Sequence, residues 1–191
     1  MITNIIHAGV KHVDVGSLDV SNDNPTILIS ILDFHSPFRR PEFAKFHDSL
    51  SLCFKDRCEE DYGLFDNWPD EPSDALSHRI LGVANERLFS LTDAVKIVDF
   101  FEKYQAQAQE YNLIAHCKSG VGRSAAIAEF FGIIHNIPFR GTDPRGRFMP
   151  NCRVTRLLTK AYYNKYNHAD NGNRNTEVQQ LGIPQHCYLT S

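Results

Sequence analysis

Residues 112–134 dictate more about this chain's architecture than any other stretch. "NLIAH" (112–116) is a short apolar run, too brief for a helix, of the kind that forms the central strand of a sheet buried on both faces. "RSAAIAEFFGIIHN", from Arg123 to Asn136, carries apolar residues almost all round and reads as a largely buried helix. Between them lies only "CKSGVG" (117–122). A strand that turns at once into a helix packing back onto its own sheet is the unit of α/β layer folds, in which parallel strands alternate with helices.

The rest of the chain agrees. "TILISILD" (26–33) is β-branched and apolar, follows the turn cluster "SNDNP", and reads as a second buried strand; "SLSLCF" (49–54) is a third candidate. Ser90 followed by Asp93 fits a capping box, and Ala94, Val95, Val98, Phe101 and Tyr104 recur at helical spacing, so a helix is expected over about 91–109. A further helix opens at Asn151, with Val154, Leu157, Leu158 and Ala161 on one face. Residues 57–89 lack periodicity, collect Pro69, Pro72 and Gly63, and read as a long surface insertion rather than a packed element. The expectation is one α/β domain over residues 1–165, with a central, mainly parallel four- to five-stranded sheet flanked by helices, and a polar C-terminal tail over 166–191. A chain of 191 residues that is 42% hydrophobic can bury roughly 70% of the surface its unfolded form exposes.

Charge narrows the function classes. A net charge of −3 gives no global attraction to nucleic acid or to an anionic membrane, so neither is expected as a partner. The distribution is uneven: Asp56–Asp74 holds eight acidic residues and one basic, whereas Pro138–Lys165 holds seven basic and one acidic. That basic run, including Arg140, Arg145, Arg147, Arg153 and Arg156, either reaches a phosphorylated partner or forms a solvated face that pairs with the acidic insertion. Five cysteines in no disulfide-scaffold spacing, with no basic-then-apolar leader, lead to the expectation of a reducing, cytoplasmic setting. No apolar run approaches the roughly 20 residues needed to cross a bilayer.

Three chemistries compete for "HCKSGVGRS" (116–124). Cys117 as a small buried hydrophobe in a plain turn leaves His116, Lys118 and Arg123 unexplained, since each must be paired or solvated. "GVGRSA" (120–125) matches a dinucleotide glycine pattern, but late in the chain and without an acid at the end of the next strand, and no Walker ending follows. The third reading is a phosphate cradle. A phosphate dianion needs several backbone N–H groups converging at a helix N-terminus, and Gly120 and Gly122 permit the curl. Arg123 can clamp two of its oxygens in a way lysine cannot, while the same amides, helix dipole and guanidinium favour a Cys117 thiolate. A sulfur-transfer loop also uses a cysteine, but Lys118 and Arg123 suit phosphate better.

His-Cys-x5-Arg-Ser, here His116, Cys117, Arg123 and Ser124, resembles the signature of the cysteine-dependent protein tyrosine and dual-specificity phosphatases. The resemblance extends over about residues 26–162 and is nearest to compact prokaryotic or phage-type single-domain members, through "LISILD", "LCFKD", the 91–104 helix, the loop and "PNCRV". It implies a dual-specificity-type fold, a cysteinyl-phosphate on Cys117, and phosphate held by residues 118–123, that is Lys118, Ser119, Gly120, Val121, Gly122 and Arg123. It also implies support from His116 and Ser124, and no metal or organic cofactor. A general acid is required as well. Asp56 matches the strand-then-aspartate context of "LCFKD", whereas Asp70 completes a literal "WPD" (68–70) resembling the acid loop of the tyrosine-specific branch; both stand further upstream of Cys117 than in the family, and Asp56 is favoured, with Asp70 the alternative, because position after a strand fixes a side chain better than a tripeptide inside an acidic loop. The expected substrate is a phosphorylated protein, with phosphotyrosine preferred over phosphoserine or phosphothreonine. A phosphoinositide or RNA phosphatase, or a phosphate-binding module of low turnover, are the alternatives.

Overall fold

The computed structural model describes residues 1–14, 18, 23–58, 69–82 and 86–169. In chain order these form β1 (Ile2–Gly9), α1 (Val10–Asp14), β2 (Thr26–Leu32), a 3-10 turn (Phe43–Lys45), β3 (Asp48–Cys53) and α2 (Asp74–Leu81). They continue with α3 (Leu91–Gln105), β4 (Tyr111–Cys117), α4 (Arg123–Ile134), β5 (Phe139–Gly141) and α5 (Cys152–Ala169). The strands make one five-stranded sheet in the order β3-β2-β4-β1-β5, with every pairing parallel. This is the α/β architecture expected.

β4 lies at the centre, and all seven of its residues are buried, which is why its middle, Leu113, Ile114 and Ala115, is apolar without alternation. The two faces of the sheet are covered unequally. On one, α3, α4 and α5 contribute to a large core in which Phe101 and Phe131 stack face to face at 3.8 Å. On the other, a smaller cluster of Ile6, Ala8, Val13, Leu28 and Ile114 is closed by Leu18, Phe43 and Phe46 from the connections. α4 is covered by α5 on one side and by the sheet on the other, and the all-round apolar character of its sequence follows from that sandwich.

The topology places a site. After β2 the chain moves outward to β3, whereas after β4 it crosses over β1 to β5, in the opposite direction. β2 and β4 are neighbours, so the crevice beyond their carboxyl ends is a topological switch point, where ligands bind in open α/β sheets. Asp33 follows the last residue of β2, and Cys117 ends β4.

Several elements differ from the sequence reading. β1, β5 and the short α1 were not expected; β1 is an inner strand, and its polar His7 and Asn4 broke the apolar pattern. The stretch read as an unpacked insertion over 57–89 contains α2, and its return buries Glu86, Leu88 and Phe89, while residues 59–68 lie outside the described set. α5 continues to Ala169, past the boundary drawn at 165, because its polar C-terminal turns hide a helical pattern; the tail beyond it lies outside the described residues. Val95, assigned to the buried face of α3, is exposed, and Ile97 takes the inward position. The Ser90–Asp93 capping box is present in both directions, and Asn151 caps α5 by accepting from the Val154 N–H at 3.1 Å. No helix among the described residues is long and apolar enough to cross a membrane.

Candidate active site

Cys117 is fully buried at the bottom of the loop. Its Sγ accepts the Gly120 N–H at 3.3 Å and lies 3.2 Å from Ser124 Oγ, the second residue of α4. The sulfur thus faces a helix N-terminus, where unpaired N–H groups and the helix dipole favour negative charge. Gly120 makes the curl possible. Its φ is +78°, and a Cβ there would sit 2.4 Å from the backbone nitrogen of Gly9, so the loop rests directly on the end of β1. From the same strand, buried His7 donates from Nδ1 to the Gly120 carbonyl at 2.7 Å. Burial holds the His7 imidazole below its usual pKa, against that hydrogen bond. His7 was not singled out by sequence, since a lone histidine in a strand carries no motif.

His116 lies immediately behind the cysteine, wholly buried, with Nε2 2.8 Å from Ser30 Oγ on β2. Burial pushes its pKa down to about 4, with a weaker opposing contribution from the Cys117 backbone, so the imidazole is neutral at ordinary pH. It props the strand end as a neutral polar group.

Arg123 is 2% exposed, although it opens α4 and carries a full charge. Nη1 donates to Asp33 Oδ1 at 2.7 Å and to the Phe54 carbonyl at 2.6 Å, which fixes the guanidinium plane. Nε is buried and has no hydrogen-bond partner; the nearest acid, Asp56 Oδ2, stands 3.7 Å away. A donor left open in this way, six residues after a buried cysteine on one curled loop, is suited to an incoming anion. The sequence reading had missed Asp33, which stands at the end of "TILISILD" without a motif of its own. Lys118 and Ser119 are exposed on the rim, and the Lys118 ammonium lies 6.0 Å from the centre of the Phe38 ring.

The two candidate acids occupy different surroundings. Asp56, three residues past β3, lines a cleft of about 560 Å³ with Cys58, Ser119, Val121, Gly122, Met149, Pro150, Asn151 and Cys152. Its Oδ1 accepts from Asn151 Nδ2 at 2.9 Å, and its carboxylate lies so close to Gly122 that a Cβ there would be 2.6 Å from Oδ2. Asn151 therefore caps α5 with its oxygen and holds Asp56 with its nitrogen. Asp70 instead faces α5, hydrogen-bonded to Arg156 Nη1 at 3.1 Å and to Lys160. Partial burial raises its pKa, but these two cations outweigh that and hold it below the usual carboxylate range. Its backbone carbonyl accepts from Leu91 N–H, and neighbouring Pro69 accepts from the buried Arg153. The basic run is thus partly internal: Arg153 and Arg156 fasten the 69–70 segment to α5, and Arg147 pairs with Asp143. The structure brings Asp56 to the loop and does not bring Asp70 there.

Cys53 and Cys117 are free thiols. Among the described residues no group of three His, Cys, Asp or Glu side chains is arranged to hold a metal ion.

No family model matches the chain, and no curated protein sequence matches it. Among solved structures, PTPMT1 in complex with PI(5)P is similar at 15% identity and a TM-score of 0.41, over 83% of this chain and 88% of that one. Tk-PTP in the active form is similar at 12% identity and a TM-score of 0.36, over 84% of this chain and 76% of that one.

Proposed function

We propose that this chain is a phosphatase that hydrolyses phosphate monoesters through a cysteinyl-phosphate on Cys117. The observation that carries the reading is the pairing of a buried sulfur at the mouth of α4 with a buried arginine whose Nε donor is unused. In the first step the Cys117 thiolate attacks phosphorus in line. The loop amides and Arg123 hold the equatorial oxygens, and the Asp56 carboxyl gives its proton to the departing oxygen as the phosphorus–oxygen bond breaks. In the second step Asp56, now a carboxylate, takes a proton from water as the water attacks the phosphocysteine. Inorganic phosphate leaves, and Ser124 donates a hydrogen bond to the thiolate as it re-forms.

The substrate reading is a phosphorylated protein, with phosphotyrosine first. Whichever group protonates the leaving oxygen must lie beside it, so the alcohol half of the substrate occupies the cleft that Asp56 lines. Val121, Met149 and Pro150 give that cleft an apolar wall, which suits an aromatic ring better than a polar inositol or ribose.

The test is hydrolysis of a chromogenic aryl phosphate at mildly acidic pH with chelator present, alongside Cys117→Ser. Turnover that survives chelation and vanishes in the variant is the expected result. Equal inertness of both proteins, each still binding inorganic phosphate, would instead establish a phosphate-binding module.

A further inference from the structure

Arg123 is the inner end of a line of alternating charges that runs back to the segment 86–89. Asp33 Oδ1 accepts from Arg123 Nη1, while its Oδ2 lies 3.5 Å from Lys55 Nζ. The same ammonium lies 2.7 Å from Glu86 Oε2, whose side chain is 2% exposed. Backbone follows side chain, for the Lys55 N–H donates to the Arg87 carbonyl at 2.9 Å. The order is Glu86, Lys55, Asp33, Arg123.

An ion-pair line of this depth adds little stability by itself, because desolvation offsets most of the attraction. Its effect on an anion site is more direct. Asp33 and an incoming phosphate dianion compete for the field of one guanidinium, and Lys55 neutralises part of Asp33's charge. Glu86 in turn draws Lys55 away, since the ammonium stands nearer to Glu86 than to Asp33. We propose that Lys55 and Glu86 are positioning residues that act through Asp33 to set how strongly Arg123 binds phosphate, with opposite signs. This rests on the phosphatase reading of the loop.

The measurement is binding of inorganic phosphate by calorimetry to the full chain, with thermal unfolding recorded alongside. Lys55→Met leaves Asp33's charge wholly on Arg123, and the dissociation constant rises about tenfold; Lys55→Arg keeps it within about twofold. Glu86→Gln is nearly isosteric and frees Lys55 to close on Asp33, so the dissociation constant falls about threefold even as the protein loses stability. In an Asp33→Asn background the effect of Lys55→Met shrinks below about twofold, because the intermediary charge is gone. Weaker binding in both Lys55→Met and Glu86→Gln, in step with their loss of stability, overturns the coupling; so does an undiminished Lys55→Met effect in Asp33→Asn. A Lys55→Met protein that does not fold leaves the decision to Glu86→Gln, where unchanged or weaker binding overturns it. Failure of the wild-type chain to bind phosphate would bring down the phosphatase reading and this coupling with it.

Discussion

Lowering the pH should destabilise this protein through one buried histidine, His116. His116 has a folded pKa of about 4 against an ordinary value of 6.5, and the first cause is its burial. Because the folded value is depressed, the unfolded chain takes up the proton first as pH falls. The contribution is therefore complete above about pH 6.5 and is lost progressively as pH falls toward 4, where it levels off. A shift of roughly 2.5 units corresponds to about 3 kcal/mol at its limit, of which about 2.4 kcal/mol is lost between pH 7 and about pH 4.5. The assay is urea unfolding at both pH values for the wild type and for His116→Gln, whose amide can still reach Ser30. Other groups titrate over the same range, among them His7 and His135, both held low by burial, but they are common to the two proteins and cancel in the comparison. The wild type should lose about 2–3 kcal/mol more stability than the variant on acidification. Equal losses would refute the reasoning, and with it the picture of a neutral imidazole behind Cys117.

Asp56→Ala should lower turnover of a poor leaving group by a factor of about 10²–10⁴ while sparing a good one, read from the ratio of alkyl to nitrophenyl phosphate hydrolysis; unchanged turnover removes the assignment. Asp70→Asn should leave that ratio alone and cost about 1–2 kcal/mol in a thermal melt, since it cuts the struts to Arg156 and Lys160. Gly122→Ala places a methyl against the Asp56 carboxylate and should imitate Asp56→Ala in part, roughly tenfold or more on the poor leaving group, with phosphate affinity much less affected. Phe131→Ala removes one ring of the stack with Phe101 and should destabilise the fold by about 3–5 kcal/mol, measured by urea unfolding, without a selective effect on leaving groups.

What could be read from the sequence was what is local. The curl of the loop, the capping box at Ser90 and the cap at Asn151 each lie within a few consecutive residues, and each is governed by backbone geometry that residue types announce. β4 and α4 declared themselves because each holds an unbroken apolar run, 113–115 in the one and 125–128 in the other, that is wholly buried. β1 did not, because His7 and Asn4 interrupt it for reasons that lie elsewhere in the chain; His7 is polar because the Gly120 carbonyl, over a hundred residues later, needs a donor. Asp33 was invisible for the same reason. A carboxylate at a strand end is unremarkable until β2 and β4 are known to be neighbours, and only then does it meet Arg123.

Under the proposed function the two aspartates are separated by their surroundings, not by the match of a tripeptide. Asp70 carries the more specific-looking sequence, yet a general acid must hold its proton near working pH, and two cations fastened to one carboxylate work against that. Asp56 has a plainer sequence and a better place. It follows a strand whose end is fixed by the sheet, it accepts a hydrogen bond from an asparagine amide at 2.9 Å, and its cationic partner, Arg123 Nε, stands at 3.7 Å, beyond hydrogen-bond reach. That guanidinium is itself engaged by Asp33, so much of its charge is answered before Asp56 feels it. The carboxylate that anchors Arg123 thereby also sets the charge that Asp56 meets, and in the proposed mechanism the anchor of the arginine and the surroundings of the acid become one arrangement.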